Sequence, residues 1–340
     1  MTIAHTDRAA ALALAACRDA DRRAWRPRSF VTLDDLDAGA LGHVVDQGLA
    51  MKRRPADYAE ALAGRAVALL FQKTSTRTRC SFEAAAREMG AHADYLDWSR
   101  SNFVLAELSD EIAVMSRFYD LVVARVDRHE SLRIMAAHSE VPVVNGLCDR
   151  HHPCQAVSDV LTLKEYFGVD LRGLRLAWVG DGNNVCRSLV QAATRFGVEV
   201  TLSSPAGYEL EEVSAAQGGA LVRRVADPRA AVEGADVIYT DTSVSMGQEH
   251  DAARRMAAFA GWQVNAALMD AAPGHALFMH CLPAHPGVEV TAEVLRSPRS
   301  IVLDQAENRK HAQKALLAWL VRADAPAARA AMPARAAALA

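Results

Sequence analysis

The sequence predicts an α/β protein of two lobes, each a mostly parallel sheet flanked by helices, joined by a bridging helix. The chain has 340 residues, which suggests two domains, and 51% of them are hydrophobic, enough to fill two cores. Short apolar, β-branched runs alternate with amphipathic stretches of helical length, a pattern typical of repeated βαβ units. The runs that predict strands are 66–71, 121–126, 141–145, 174–179, 198–202, 236–239, 276–279 and 300–303.

The helical pattern over 152–167 favours two open sheets. Eight parallel strands could also close one barrel. This helix, however, is long and has no strong strand on either immediate flank, as expected of a helix that bridges two lobes. We therefore expect a first domain over 1–150 and a second over 151–309.

The two ends of the chain carry further helical patterns. A last periodic helix at about 310–322 is expected to pack back onto the first domain. The first 25 residues fit a helix on the outside of the first lobe. Residues 323–340 are rich in Ala, Pro and Arg and predict a frayed or partly helical tail.

Composition excludes several classes of function. Lys plus Arg total 38 against 41 Asp plus Glu, so the net charge of −3 gives no long-range attraction for nucleic acid. No apolar stretch approaches the roughly 20 residues that span a bilayer, and the N-terminus lacks the clean apolar core of a secretory signal. The six cysteines form no Cys-x-x-Cys pair and are interpreted as free thiols. We expect a cytoplasmic protein without membrane or nucleic-acid partners.

The strongest local signal is a cluster of hydroxyl and guanidinium groups at a predicted strand-to-helix junction. Ser75, Thr76, Arg77 and Thr78 follow the first strand and lead into a helical pattern over 81–89. Backbone N–H groups at a helix N-terminus attract anions, so this segment predicts a phosphate pocket. An ordinary helix cap with solvated arginines is the structural alternative. The segment lacks the glycines of a nucleotide P-loop.

The start of the bridging helix carries a second candidate. Pro153 suits a first helical turn, and a spacing of three residues places His152 and Gln155 on one face, where they could hold a small carbonyl-amide group. A helix-start histidine without a function is about as probable from these residues alone. A zinc site is a weaker alternative, because Cys-x5-Cys is not a common metal spacing; its ligands would be Cys148, His151, His152 and Cys154.

Polar residues follow several more predicted strands. Gly180 and Gly182 invite a dinucleotide-binding interpretation, but the third glycine and the acidic residue for a ribose are missing. We expect a tight turn that presents Asn184 and its neighbour at the carboxyl edge of the sheet. Other groups at this edge are Asp241, Ser245, Met246, Cys281, Leu282 and Arg309. Covalent catalysis by Cys281 with His280 is disfavoured, since adjacent strand residues point to opposite faces.

Taken in order, these segments resemble the aspartate/ornithine carbamoyltransferase family, closest to its ornithine branch. The motifs are Ser-Thr-Arg-Thr-Arg, His-Pro-x-Gln, Gly-Asp-Gly-Asn-Asn, Asp-x-x-x-Ser-Met-Gly, His-Cys-Leu-Pro and Ala-Glu-Asn-Arg, and the match runs from about residue 30 to 320. The resemblance implies a carbamoyl-phosphate lobe, then an amino-acid lobe, and a homotrimer with active sites at subunit boundaries. It implies no cofactor and no metal.

The resemblance also implies roles for residues at the matching positions. Ser75, Thr76, Arg77 and Thr78 would hold the phosphate. Arg125, His152, Gln155 and Arg309 would complete the carbamoyl-phosphate site. On the acceptor side, Asn184, Asp241, Ser245 and Met246 would orient the amino acid, with Cys281 and the Leu282 carbonyl near the reacting nitrogen.

Two departures from the family pattern bear on the substrate. The stretch Ser101-Asn102-Phe103 stands where the family has a Gln-Leu-Gly or His-Leu-Gly element lent by a neighbouring subunit, and Ser243 stands where it has a tryptophan. The expected reaction transfers the carbamoyl group of carbamoyl phosphate to L-ornithine, giving L-citrulline and phosphate. Other acceptors stay open, such as 2,3-diaminopropionate or an N-acylated ornithine, as does a carbamoyl-phosphate-binding protein without turnover.

Overall fold

The computed structural model describes residues 29–211, 219–244 and 249–321. The helix expected in the first 25 residues, the tail 323–340, and the site residues Ser245 and Met246 lie outside the described residues. None of the described helices combines the length and apolarity that crossing a bilayer requires.

Two parallel sheets form the framework, and the predicted fold class is confirmed. The first has the order β2-β1-β3-β4, with β1 Ala66–Phe71, β2 His92–Asp97, β3 Leu121–Arg125 and β4 Val143–Leu147. The second has the order β7-β6-β5-β8-β9, with β5 Arg175–Val179, β6 Glu199–Ser203, β7 Val222–Arg224, β8 Val237–Thr240 and β9 Leu277–His280. Central strands such as β1 and β3 are apolar and buried, as expected of parallel strands with both faces covered.

Eleven α-helices are present in the described residues. Those of the first lobe and the linker are α1 Ala38–Arg53, α2 Thr76–Glu88, α3 Leu108–Met115, α4 His129–His138 and α5 Pro153–Phe167. Those that follow are α6 Asn184–Ala193, α7 Pro228–Val232, α8 Ala252–Ala258, α9 Ala266–Ala271, α10 Ala292–Leu295 and α11 Val302–Leu320.

Helix α5 is the predicted bridging helix. Pro153 occupies its first turn, and every residue from Pro153 to Lys164 is buried. A helix buried on all sides lies inside a core rather than on its surface. Helix α5 packs against α1, α6 and α11, and it connects the last strand of the first sheet to the first strand of the second.

The chain end shows where the strand prediction for 300–303 is wrong. Ser300 makes only an isolated bridge to Phe278, and helix α11 begins at Val302. A short run of Ile, Val and Leu fits a strand or a buried helix equally well, and the helix is favoured because the apolar periodicity continues to Leu320. Arg309 therefore lies inside a helix rather than after a strand.

Helix α11 ties the end of the chain to the first lobe. It packs against α1 and α2 as well as α5. Lys310 Nζ lies 2.9 Å from Glu88 Oε1, and the buried Lys314 also pairs with Glu88. Lys52 on α1 donates to Asn308 Oδ1 at 2.8 Å. These contacts fix the position of Arg309, which lies between Asn308 and Lys310.

Candidate active site

A cavity of about 1070 Å³ lies where the carboxyl ends of the strands of both sheets face each other. Ligands of open α/β sheets bind at this edge. Eleven of the predicted site residues line the cavity: Ser75, Thr76, Arg77, Thr78, Arg125, His152, Asn184, Asp241, Cys281, Leu282 and Arg309.

The loop after β1 forms the anion end of this cavity. Ser75 caps helix α2 and accepts a hydrogen bond from the Thr78 backbone N–H at 3.4 Å. Thr78 is fully buried, and its Oγ1 accepts a hydrogen bond from Arg309 Nη2 at 2.7 Å. The segment that predicted a phosphate pocket thus joins a helix N-terminus to a guanidinium from α11. The structural alternative, an ordinary helix cap, holds too, because Ser75 is the N-cap of α2.

Three guanidinium groups meet beside this loop. Burial, with Arg309 and Arg77 nearby, lowers the pKa of Arg125 to about 10, although Cys281 opposes this shift. Burial also lowers the pKa of Arg309; Cys281 acts against this and Arg77 reinforces it. The Nε atoms of all three arginines are buried and have no hydrogen-bond partner within the described residues. An anion bound among them would supply the missing charge and acceptors.

His152 faces the same three arginines as a neutral imidazole. Burial is the main cause that lowers its pKa well below the usual value, and Arg309, Arg125 and Arg77 add to the effect. Its backbone N–H donates to Ser188 Oγ at 2.8 Å, and its Nδ1 is buried without a hydrogen-bond partner in the described chain. A neutral His152 can form a hydrogen bond with a carbonyl group, and it adds no charge to a site already rich in cations.

Gln155 lies one turn further along α5 and does not line the cavity. Its side chain is buried, and its Nε2 donates to Asp159 Oδ1 at 2.9 Å. Its Oε1 is buried without a hydrogen-bond partner in the described residues. The amide oxygen of Gln155 is thus a buried acceptor that no described group uses.

Asp241 is the centre of a hydrogen-bond network in the cavity wall. Its Oδ2 accepts a hydrogen bond from Asn183 Nδ2 at 2.8 Å, and its Oδ1 accepts one from the Cys281 thiol at 3.0 Å. Asn183 also caps helix α6, accepting from the backbone N–H groups of Val185 and Cys186. Asn184 Nδ2 donates to the Cys148 carbonyl at 2.7 Å. The Asn-Asn pair thus anchors the carboxylate that follows β8 and the loop before α5.

Cys281 is a protonated thiol in this environment. Burial and the adjacent Asp241 raise the pKa of Cys281 well above its usual value. His280 is turned to other partners: its Nδ1 accepts from the Leu282 N–H at 2.8 Å, and its Nε2 lies 3.3 Å from Glu289 Oε1. A thiol is a poor nucleophile unless it is ionised, so this pair is not arranged for covalent catalysis.

The four residues considered for zinc do not form a cluster of ligand atoms in the described part of the chain. The Cys154 thiol donates to the Asn145 carbonyl at 3.3 Å, and Cys148 Sγ lies 3.5 Å from His129 Nδ1. Within the described chain, the one group of potential metal ligands with atoms within 4.8 Å of one another is Asp241, His280 and Cys281. Metal binding there would displace the thiol-to-carboxylate and imidazole hydrogen bonds given above.

The Gly-Asp-Gly turn after β5 packs against protein backbone. A Cβ on Gly182 would lie 2.0 Å from the Leu210 nitrogen, and the Gly182 N–H donates to the Tyr208 carbonyl at 2.8 Å. Gly180 has φ +139°, a conformation that favours glycine. Both glycines are thus explained by the turn that presents the two asparagines.

Sequence reasoning missed a buried ion pair in the acceptor wall. Arg255 Nη1 on α8 donates to Asp181 Oδ2 at 2.9 Å and to the Ser243 carbonyl at 3.1 Å, and its guanidinium lies 4.9 Å from the Tyr208 ring. Burial raises the pKa of Asp181 to about 6; Arg255 opposes this and Asp241 contributes to it. Asp181 and Arg255 are 74 positions apart in the chain, so no local pattern could have paired them.

The two departures from the family pattern lie away from the cavity surface. Ser243 is buried and does not line the cavity, whereas Thr242 and Val244 on either side of it do. In the segment 101–103, Ser101 Oγ donates to the Trp98 carbonyl at 2.8 Å, and the Phe103 ring packs 4.9 Å from that of Trp98.

Two family models match the chain. The carbamoyl-phosphate binding domain of aspartate/ornithine carbamoyltransferase matches residues 28–165, and the aspartate/ornithine binding domain matches residues 172–320. Between them they cover both sheets and the cavity.

Similar proteins carry the same family name. The ornithine carbamoyltransferase of Chromobacterium violaceum is 43% identical over 298 residues, which is 86% of this chain and 97% of that protein. The anabolic ornithine carbamoyltransferase of Pseudomonas aeruginosa is 44% identical over 297 residues, covering 86% and 97% of the two chains.

Solved structures give the same result. The ornithine carbamoyltransferase of Thermus thermophilus matches with a TM-score of 0.80 and 40% identity over 87% of this chain and 99% of that one. The enzyme of Pyrococcus furiosus matches with a TM-score of 0.81 and 40% identity over 87% and 97%. The chain therefore belongs to the aspartate/ornithine carbamoyltransferase family.

Proposed function

We propose that this protein is a carbamoyltransferase that moves the carbamoyl group of carbamoyl phosphate onto the side-chain amine of L-ornithine, giving L-citrulline and phosphate. The observation that carries this proposal is the meeting of Arg77, Arg125 and Arg309 with a neutral His152 at one end of a cavity. Asp241 and Cys281 adjoin them. The curated relatives named above are ornithine carbamoyltransferases.

The anion end binds carbamoyl phosphate. The N-terminus of α2, with Ser75, Thr76, Arg77 and Thr78, holds the phosphate, and Arg309 is already oriented by its hydrogen bond to Thr78. Arg125 and His152 hold the carbonyl oxygen, and Gln155 holds the amide nitrogen. Guanidinium groups placed before the reaction stabilise the oxygen charge that develops in the transition state.

The acceptor end orients the amino acid. Asp241, Asn184, Ser245 and Met246 bind its α-amino and α-carboxylate groups. The Cys281 thiol and the Leu282 carbonyl lie beside the side-chain nitrogen, and Cys281 is close enough to Arg125 and Arg309 to affect the pKa of both. This arrangement places the amine next to the carbamoyl carbon.

Transfer then takes place by direct attack. The lone pair of the neutral amine forms a bond to the carbamoyl carbon, giving a tetrahedral intermediate whose oxyanion is stabilised by Arg125 and His152. The carbon–oxygen bond to phosphate breaks, and the surplus proton on nitrogen goes to the departing phosphate. A protonated Cys281 stays outside the covalent steps, consistent with its raised pKa.

The wider arrangement is part of the proposal. We propose that residues 1–150 with α11 form the carbamoyl-phosphate domain, that 151–309 form the amino-acid domain, and that the protein works in the cytoplasm as a homotrimer. Exposed apolar side chains directly after the segment 101–103 support a subunit contact: Val104 is 53% and Leu105 is 81% exposed. Light scattering on a sizing column tests the trimer.

A panel of amines tests the reaction. Purified protein, carbamoyl phosphate and one amine are incubated, and the ureido product is measured by colour reaction and by mass. The panel contains L-ornithine, 2,4-diaminobutyrate, 2,3-diaminopropionate, L-lysine, putrescine and N-acetylornithine. We expect the highest kcat/KM with L-ornithine.

Two outcomes contradict the proposal. Good turnover of a shorter or acylated diamine with none of L-ornithine would reassign the acceptor. Tight binding of carbamoyl phosphate without a ureido product from any amine would make the chain a binding protein.

A further inference from the structure

A buried carboxylate that forms no salt bridge among the described residues lies directly behind the site. Asp159 is on α5, one turn after Gln155, and is fully buried. Its Oδ1 accepts hydrogen bonds from Gln155 Nε2 at 2.9 Å and from Gln305 Nε2 at 2.8 Å, and its Oδ2 accepts one from the Tyr239 hydroxyl at 3.1 Å. All three donors are neutral groups on three different elements.

This carboxylate determines which way the Gln155 amide faces. A carboxylate only accepts hydrogen bonds, so it binds the NH₂ side of the Gln155 amide and turns the oxygen away from itself. That oxygen, Oε1, is buried without a hydrogen-bond partner in the described residues. A buried acceptor left unsatisfied favours a ligand that brings a donor. The amide nitrogen of a carbamoyl group is such a donor.

Gln305 fixes the carboxylate in turn. Its Nε2 donates to Asp159 and to the Tyr239 hydroxyl at 2.8 Å, whereas its Oε1 accepts from the His280 backbone N–H at 2.9 Å. Reversing the Gln305 amide would lose the hydrogen bond to β9. The network therefore has one consistent orientation, and it links α5, α11 and the strand that precedes Cys281.

We propose that Asp159 is a positioning residue for carbamoyl recognition: it holds Gln155 with its oxygen presented to the NH₂ group of the bound carbamoyl compound. This inference rests on the proposed function only in placing carbamoyl phosphate in this cavity. Burial raises the pKa of Asp159 to about 6, against three hydrogen bonds and the charge of Arg309. The carboxyl group faces three donors, an arrangement expected of its ionised form, which only accepts hydrogen bonds. It acts through Gln155 and does not touch the substrate itself.

Two stable phosphonates test the inference without turnover. Phosphonoacetamide carries the NH₂ group, and 2-oxopropylphosphonate has a methyl group in its place. Calorimetry gives the Kd of each at pH 7.5. We expect the wild-type protein to bind the amide about tenfold more tightly, as expected of one added hydrogen bond to a buried acceptor.

The variants separate positioning from folding. The preference for phosphonoacetamide over 2-oxopropylphosphonate should fall to about twofold in Asp159→Ala. It should fall equally in Gln155→Ala. In Asp159→Ala/Gln155→Ala it should fall no further, because both changes remove the same contact. Asp159→Asn should recover most of the preference, because its oxygen can accept from both glutamines. Tyr239→Phe, which removes another contact of Asp159 and leaves Gln155 bound, should stay within about twofold of wild type.

Specific results overturn the inference. A full tenfold preference in Asp159→Ala, or a loss in the double variant that adds to that of Gln155→Ala, would show that Asp159 does not act through Gln155. If Asp159→Ala does not fold by circular dichroism, Asp159→Ser replaces it, since its hydroxyl is one bond too short to reach Gln155. The citrulline assay on wild-type protein is separate, so its failure would remove the transfer reaction and leave this binding result intact.

Discussion

Replacing Arg125 by methionine should make the empty protein more stable while it weakens the use of carbamoyl phosphate. Burial and the two neighbouring arginines lower the pKa of Arg125 from 12.5 to about 10. A group whose folded pKa lies below its unfolded value resists being charged in the fold, and at pH 7 the side chain is charged in both states. The unfavourable free energy is therefore fully present at pH 7 and disappears only as the pH rises past about 10.

The size of the effect follows from that change in pKa. A difference of about 2.5 in pKa, at about 1.4 kcal/mol per pKa unit, amounts to about 3.5 kcal/mol. Met fills similar apolar space, and Arg125 Nε has no hydrogen-bond partner in the described structure that would be lost. Urea unfolding without ligand should show a gain in the free energy of unfolding of up to about 3.5 kcal/mol. The loss of charge-assisted contacts should lower kcat/KM for carbamoyl phosphate at least about 100-fold.

A second arginine provides the control. Arg195 donates to the Leu33 and Leu36 carbonyls and pairs with Asp34 Oδ1 at 2.7 Å. In Arg195→Met the free energy of unfolding should fall by about 1–2 kcal/mol, and the kinetics with carbamoyl phosphate should stay normal. If Arg125→Met destabilised the empty protein by more than about 1 kcal/mol, the reasoning about strain among the three guanidinium groups would be refuted.

Three further predictions follow from the geometry. Gly182→Ala should lower the free energy of unfolding in urea by more than about 2 kcal/mol and weaken amine binding, because its Cβ would lie 2.0 Å from a backbone nitrogen. The control is Gly42→Ala, where a helix leaves open space for the Cβ; in the same assay it should be neutral or stabilising by up to about 1 kcal/mol. Iodoacetamide at pH 8 should modify exposed Cys80 well before Cys281, and peptide mass spectrometry that found the reverse order would contradict the raised pKa of the buried thiol. Burial lowers the pKa of His151 to about 4, so as the pH falls from 6.5 to 4 the unfolded chain takes up a proton that the folded protein does not. The free energy of unfolding should therefore fall as the pH is lowered through this range, and His151→Asn should reduce that fall by about 2 kcal/mol. A pH profile unchanged in the variant would argue against this assignment.

The anion loop was predictable because its signal is local. Ser75 follows a fully apolar strand, and hydroxyl and basic residues come at once after it, so the junction and its chemistry are visible within nine residues. The strands β2 and β7 were not predicted. β2 carries the charged or polar residues His92, Asp94 and Asp97 at an edge of its sheet, and β7 has only three residues, two of them arginines. Edge strands need little apolar surface, so composition does not reveal them.

The supporting side chains could not be predicted from local pattern. Asp159 looks like an ordinary polar residue in an amphipathic helix, and only the packing of α11 and β8 around α5 shows that its carboxylate is buried. Arg255 similarly gains its role when α8 folds back over the turn containing Asp181. Such contacts depend on tertiary packing that no short window of sequence records.

The position of Arg309 has a consequence for the order of events during synthesis. One of the three cations of the anion pocket comes from α11, a helix that ends at Leu320 and is held in place by α1 and α2, which are made far earlier. A ribosome-bound chain that has exposed both sheets but not this helix lacks that cation. A nascent chain of this kind would therefore present an incomplete anion pocket, and the pocket is complete only once translation has passed α11.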